Sequence, residues 1–561
     1  MDTHSTTPER LPDPIRNRGR MRLWRFGLAG LVSAAVLFGV AELVAAFFAT
    51  AASPMVALGQ TFIDITPPWL KDFAIGLFGT NDKLALFVSM GIVAALVAAG
   101  TGLLARRRPA AASAVIVLLG VGMSASVLSR PATGALDVVP TLIGTVAGIL
   151  ALRYLAGLAA AATTSAAATS AAATAPADDA SAASGTAAPT EATRRGGRGA
   201  VASASSSRRG FLLGSAVGVV GAAAMVAGGR ALSAVLNTAQ ATREALRLPR
   251  PVKQAIELPD GVGADVKGMP PFVTPNGNFY RIDTALAVPR IDPAGWSLRV
   301  HGMVEEEFTL TFDELLGMDL EETWLTLTCV SNPVGGNLVG NAKWLGYPLR
   351  KILERARPQQ GADMVLSTSI DGFSASTPLE VLTDQRDALL AVGMNGEPLP
   401  LEHGYPVRMV VPGLYGYVSA TKWVVDLEVT RFEEKAAYWT TRGWSDHGPI
   451  KLASRVDVPR AFATVAPGTV HLGGTAWAQT TGIKGVQVKI DDGDWQNADL
   501  AAEATVDTWR QWSFNWKDAP EGTHSVTVRA IDADGTVQTA ERADPVPNGA
   551  SGLQRLQFTV G

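Results

Sequence analysis

The sequence predicts a multi-domain chain with membrane-spanning helices first, an α+β domain next and an all-β module last. Three observations predict it. Five apolar runs fall before about residue 230, most of them near the length a helix needs to cross a bilayer. From Pro271 to about residue 440, short strand-like runs alternate with helix-like pieces. After about residue 452 only strand and turn texture remains.

The N-terminal elements follow in order. Residues 1–25 carry Arg16, Arg18, Arg20, Arg22 and Arg25 ahead of the first apolar run, which predicts a cytoplasmic N-terminus. Residues 26–159 hold four expected transmembrane helices, at 26–50, 84–105, 111–128 and 137–159. Arg106, Arg107 and Arg108 lie between the second and third, again on the cytoplasmic side. Glu42, inside the first run, is either a functional intramembrane acid or a helix-packed carboxyl. Residues 160–206 are mostly Ala, Ser, Thr and Gly without amphipathic period, and are expected to be a linker. Residues 207–230 open with Ser207-Arg208-Arg209-Gly210-Phe211-Leu212 before a Gly- and Ala-rich apolar run. This looks like a twin-arginine export signal retained as an anchor helix, with an ordinary positive flank as the plainer alternative. The resulting expectation is a multi-pass protein of the cell membrane with everything after about residue 230 on the extracytoplasmic side.

In the middle region, 296–302, 323–330, 362–369, 405–412 and 422–430 read as strands, and 311–318, 349–356 and 378–386 as helical pieces. In the last region, 452–561, Asp492-Gly493 and Asp534-Gly535 are hairpin signals. Short strands at this spacing over about a hundred residues predict an immunoglobulin-like sandwich. Trp509, Trp512 and Trp516 are expected to be core or interface packing there.

The net charge is −3, which gives no reason to expect nucleic acid. The chain has one cysteine, Cys329, in TLTCVSNPVGGNLVGNAKW. It has no internal disulfide partner, and its neighbourhood lacks the ligands of a structural zinc site. Read from the residues alone, it is a buried bystander, a nucleophile or a single ligand to a soft metal.

Further motifs surround it: Asn278-Phe279-Tyr280-Arg281, Met394-Asn395-Gly396-Glu397-Pro398-Leu399-Pro400, His403-Gly404-Tyr405-Pro406-Val407-Arg408, Val411-Pro412-Gly413 and Thr421-Lys422-Trp423. With Cys329, they make residues 255–435 resemble the sulfite oxidase family of molybdenum enzymes, and 452–561 resemble its C-terminal dimerisation module. The resemblance implies an α+β molybdopterin-binding oxidoreductase domain over 250–440, with molybdenum held by the Cys329 thiolate. It places Arg281, His403, Arg408 and Lys422 against the cofactor's anionic and polar groups, and Asn278, Tyr280 and Asn341 as hydrogen-bond partners of the pterin. Trp444 and Tyr438 line the pocket or pack beside it, and His301 is structural. Where sulfite-oxidising members carry arginines soon after the cysteine, this chain has Ser331-Asn332-Pro333-Val334, which places sulfite in doubt.

The function implied is oxygen-atom transfer to or from a small substrate by a membrane-anchored molybdopterin oxidoreductase. The alternative is a non-catalytic receptor built on a degenerate cofactor domain. Electrons need a separate partner, a cytochrome or the quinone pool. One cysteine excludes a CxxCH haem, and none of His4, His301, His403, His447, His471 and His524 lies in a span. The C-terminal module makes a homodimer possible.

Overall fold

The computed structural model describes residues 14–48, 52–67, 70, 82–130, 133–173, 196–235 and 238–561. Most of the expected N-terminal segment 1–25 and residues 174–195 of the expected linker lie outside the described residues, as do the side chains of Arg16 to Arg22 and Arg208. The chain divides into two compact units, Met1–Leu236 and Asn237–Gly561.

The first unit is helical. Its segments Leu23–Ala45, Ala85–Ala105, Pro109–Leu128, Ala135–Ala161 and Arg209–Leu232 are each long and apolar enough to cross a membrane. They match the five expected runs because length and hydropathy are local properties of the chain. Gly30 and Gly102 sit where two helices touch, and a Cβ on either would collide with the other helix's backbone. A short helix not expected from the sequence, Pro54–Ile65, is capped by Ser53, whose hydroxyl accepts from Val56 N–H at 3.3 Å. That hydroxyl donates to Glu42 Oε1 at 2.6 Å, so the acid in the first apolar helix has a local partner. Helices Val139–Ala173 and Gly196–Val235 run into the two ends of the Ala/Ser/Thr segment expected to be a linker, because alanine favours helix even without an amphipathic face.

The second unit contains the α+β part and the β module. One five-stranded sheet runs in the order Phe308–Thr311, Ser297–Gly302, Val424–Thr430, Met364–Ser369, Ser374–Pro378. Its only parallel pairing is Ser297–Gly302 on Val424–Thr430, with Arg299 opposite Asp426. A second sheet pairs Glu321–Thr328, Val339–Pro348 and Leu389–Met394, with Glu397–Pro398 and Arg408–Val410 both on the last. The strand expected over 405–412 shrinks to Arg408–Val410 because Pro406 has no N–H and Gly404 turns the chain at φ +110°. On the second sheet, Leu325, Leu327, Ala342, Trp344 and Tyr405 close an apolar core with Phe279. Burying each such side chain contributes about 1.5–3 kcal/mol, which is how this sheet becomes a rigid base for the loops at its end.

The β module is two sheets that share one core. Ala453–Val458, Gly468–Trp477, Arg510–Ala519 and Asp499–Leu500 form one; Thr464–Val465, Gln554–Val560, Gly522–Asp532, Ile483–Ile490 and Gln496–Asn497 form the other. Val470, Leu472 and Trp512 of the first sheet pack against Val486, Val526 and Phe558 of the second. Trp512 is in this core and Trp516 packs against it, while Trp509 joins Trp477, Phe272 and Val339 in the seam with the α+β part.

Candidate functional site

Strand Glu321–Thr328 ends one residue before Cys329. The turn that follows is tied at both ends: Cys329 N–H donates to Leu338 O at 2.9 Å, and Asn332 N–H to Cys329 O at 3.1 Å. Asn332 Oδ1 accepts from Leu338 N–H at 2.9 Å. The thiol is buried, with Sγ 2.9 Å from Ser331 Oγ. Burial pushes its pKa up, and the bonds from Ser331 offset part of that rise. Such a thiol is neutral by itself, whereas a soft metal takes it as the thiolate.

Tyr280 lies within electrostatic reach of both Cys329 and Arg408, and burial drives its hydroxyl pKa well up. Arg408 is 5% exposed, and among the described residues its guanidinium donates only to backbone carbonyls: Met409 at 3.3 Å, His403 at 3.1 Å and Ala420 at 3.3 Å. It lies 5.1 Å from the centre of the Trp344 ring. Burial without a carboxylate partner lowers its pKa to about 10. His403 Nε2 donates to Asn276 O at 3.0 Å, which leaves Nδ1 as the acceptor in the neutral ring. Burial and then Arg408 lower its pKa to about 4. Phe279 wedges between these groups, edge-on to Trp344 at 5.8 Å and to His403 at 5.6 Å. Gly404 is required because a Cβ there would lie 3.0 Å from Arg408 Cβ and 3.2 Å from Lys422 Cβ.

Arg281 and Lys422 meet through a residue the sequence reading missed. Asp283 Oδ2 accepts from Lys422 Nζ at 2.7 Å and from Arg281 Nε at 2.8 Å. Burial alone would raise the Asp283 pKa, but Lys422 and Arg281 outweigh it and hold it at about 2. Burial lowers Lys422 to about 8 against the pull of Asp283. Lys422 also donates to Glu402 O at 3.0 Å.

Among the described residues the two remaining candidates make no side-chain bond to this group. Asn278 is exposed on the turn Asn276–Asn278. Asn341 is fully buried, its amide committed to Thr326 Oγ1 at 3.1 Å and to Phe272 O at 3.2 Å. Asn276 carries bonds the sequence reading did not assign, since its Oδ1 accepts from Asn395 Nδ2 at 2.8 Å and its carbonyl from His403. Gln479 of the β module was missed as well. It donates to Thr326 O and accepts from Gly413 N–H at 2.9 Å, tying the strand before Cys329 to the loop before Tyr415. Only an acid two residues after Arg281 hinted at Asp283, and nothing in the sequence pointed to Gln479. Tyr438, Trp439, Trp444 and Tyr417 form a packed aromatic row with centroid spacings of 5.2, 6.1 and 5.8 Å. His301 pairs with Asp426 at 3.0 Å across the parallel strands.

The donor set fits a bound group that brings its own sulfur and negative charge. Among the described residues no three His, Cys, Asp or Glu side chains gather around a metal, so a metal at Cys329 takes its other ligands from elsewhere. Arg408 is a buried cation without a carboxylate, which an anion completes.

Residues 285–439 match the family model described as the oxidoreductase molybdopterin binding domain. Mitochondrial sulfite oxidase of Rattus norvegicus is 29% identical over 315 residues, covering 48% of this chain and 57% of that protein. The chain thus spans little more than half the length of this relative. The uncharacterized oxidoreductase YuiH of Bacillus subtilis (strain 168) is 31% identical over 157 residues, 28% of this chain and 76% of that one. The protein-methionine-sulfoxide reductase catalytic subunit MsrP of Xanthomonas campestris is 30% identical over 234 residues, 37% of this chain and 64% of that one.

Proposed function

The chain belongs to the sulfite oxidase family of molybdopterin-dependent oxidoreductases, whose cofactor is molybdopterin-bound molybdenum, and on that premise we propose that it transfers an oxygen atom to or from a small substrate. The observation that carries the reading is Arg408, a buried guanidinium held by carbonyls alone, in reach of the same tyrosine as Cys329. Bound there, the group supplies two-electron oxygen-atom transfer chemistry. The residues of the chain then have distinct tasks. Cys329 provides one thiolate to the metal. Arg408, with Arg281 and Lys422 positioned by Asp283, meets the anionic end. His403, neutral at physiological pH, offers Nδ1 as an acceptor, and Tyr280 a protonated hydroxyl as a donor. Phe279 and Trp344 keep water from the guanidinium.

The finer reading is a membrane-anchored enzyme whose unit Asn237–Gly561 works on the extracytoplasmic side, exported through Arg208 and Arg209. Five helices long and apolar enough to span, the arginines that flank the first, second and fifth of these runs, and the Arg208-Arg209-Gly210-Phe211-Leu212 order support it. The β module, read as immunoglobulin-like, is the proposed homodimer contact, and electrons pass to or from a cytochrome or the quinone pool. Metal and pterin analysis of the purified protein tests the core claim. About one molybdenum per chain is expected, with Cys329→Ser losing activity while keeping its fold. Protein free of molybdenum after expression with ample molybdate would refute it. For export, changing Arg208 and Arg209 together to lysine is expected to strand the unit in the cytoplasm, and normal export would reject that route.

A further inference from the structure

The turn after Cys329, Ser331 to Gly336, carries only short, uncharged side chains and ends in two glycines. Gly335 takes φ +75°, and a Cβ there would run into the Gln554 side chain; a Cβ on Gly336 would collide with Asn332 Oδ1. So lean a segment takes its shape from what packs on it, and the β module supplies that packing.

The contact comes from strand Ala453–Val458. Arg455 is 7% exposed, and its guanidinium divides between two partners: Nε donates to Asp457 Oδ1 at 2.8 Å and Nη1 to Gly336 O at 3.0 Å. Asp457 is steadied in turn, since its Oδ2 accepts from Thr475 Oγ1 at 3.1 Å on the neighbouring strand. The next residue, Val456, donates its N–H to Gln554 Oε1 at 2.6 Å, so the side chain against Gly335 is fixed as well. The guanidinium also lies 5.7 Å from the centre of the Trp509 ring. Trp509 N–H donates at 2.8 Å to the hydroxyl of Thr326, which precedes Cys329 on its strand. Arg455 therefore braces the chain on both flanks of the thiol, directly at Gly336 and through Trp509 at Thr326.

A buried ion pair is weak evidence for stability by itself, because both charges lose their hydration and apolar residues of similar volume often serve as well. This pair does what apolar residues cannot: it sends a charge-assisted bond out of the module to the backbone of the Cys329 turn. We propose that Arg455, oriented by Asp457, is a positioning residue that fixes the turn carrying Cys329 and thereby how the thiolate is presented to the metal. The proposal rests on the reading of Cys329 as a metal ligand. Outer partners of this kind orient a ligand without touching the metal, and their loss costs about 10–100-fold in metal affinity or activity. The β module thereby becomes part of the framework of the site.

Cys329 is the chain's one thiol, so its alkylation reports on this turn alone. Full-length protein in detergent micelles, from a host that makes no pterin, is treated with iodoacetamide and followed by intact mass. Arg455→Gln removes the ion pair and the cation at Gly336, and is expected to raise the alkylation rate at least ~10-fold. Arg455→Lys keeps a cation for Gly336 O and is expected to fall between the two. Val470→Ala opens a cavity in the module's core, and is expected to lower the urea midpoint without raising that rate. In molybdenum-loaded protein, Arg455→Gln is expected to shift the midpoint potential and the paramagnetic resonance of one-electron-reduced molybdenum, and Val470→Ala to leave both unchanged. An alkylation rate unchanged in Arg455→Gln, an equal rise in Val470→Ala, or an unshifted resonance in loaded Arg455→Gln would each overturn the proposal. If Arg455→Gln does not fold, Arg455→Lys carries the same comparison. Unaltered protein without molybdenum would instead reject the metal-ligand reading, and the alkylation rates would still decide whether Arg455 braces the turn.

Discussion

Asp283→Asn removes the carboxylate that joins Arg281 and Lys422. Its side chain is 5% exposed and that of Lys422 10%, so the ion pair between them is screened very little by solvent. Two estimates of the cost differ. Holding the Asp283 pKa at about 2, against an ordinary 3.8, corresponds to roughly 2 kcal/mol by linkage. Breaking a buried pair by removing one partner costs about 3–5 kcal/mol, because a desolvated cation is left behind. The second applies here, since the substitution leaves Lys422 buried and the linkage figure counts only the carboxylate. We therefore expect a loss of about 3 kcal/mol in protein from a host that makes no pterin. In cofactor-loaded protein an anion beside Lys422 and Arg281 replaces part of the lost charge, and the loss is expected to shrink by at least ~1 kcal/mol. Urea unfolding in micelles, followed by tryptophan fluorescence, measures both; all tryptophans but Trp24 and Trp69 lie in the unit Asn237–Gly561. Equal losses in the two forms would show that these cations do not face the cofactor. A loss under ~1 kcal/mol in cofactor-free protein would show that the pair is solvated after all.

Arg408→Met is expected to destabilise cofactor-free protein less than cofactor-loaded protein, because loss of a buried cation with no carboxylate among the described residues offsets part of the cost of stranding the Met409, His403 and Ala420 carbonyls. The same variant is expected to lose most of its molybdenum, read by metal analysis. Acid titration of unfolding stability carries two steps. His403 stays neutral in the fold down to about pH 4 while the unfolded chain takes up a proton near 6.5. Stability contributed by His403 is thus present above pH 6.5 and falls as pH drops to about 4, by roughly 3 kcal/mol. The Asp283 contribution is present above about pH 4 and is lost as pH falls through 2. His403→Gln is expected to remove the upper step and spare the lower one in the same titration. Gln479→Leu strands Gly413 N–H and Thr326 O, and is expected to cost about 2–4 kcal/mol in urea unfolding.

Much of the architecture is determined by local pattern. The five long apolar helices, the strands at 297–302, 321–328, 364–369 and 424–430, and the turns at Asp492-Gly493 and Asp534-Gly535 appear close to where periodicity and turn chemistry put them. The isolation of Cys329 is likewise a property of composition. The helical ends that invade the Ala/Ser/Thr segment were hidden because helix propensity and linker composition coincide in alanine. Other decisions belong to the tertiary structure. Asp283 reaches Lys422 across 139 residues, and Asn341 turns its amide to Phe272 and Thr326 instead of joining Tyr280 and Arg408. Gln479 bridges two loops of another part of the chain, and Arg455 reaches the Gly336 carbonyl from the β module. Periodicity is written in neighbouring residues, whereas charge pairing and the bracing of a turn depend on which distant segments the topology brings together.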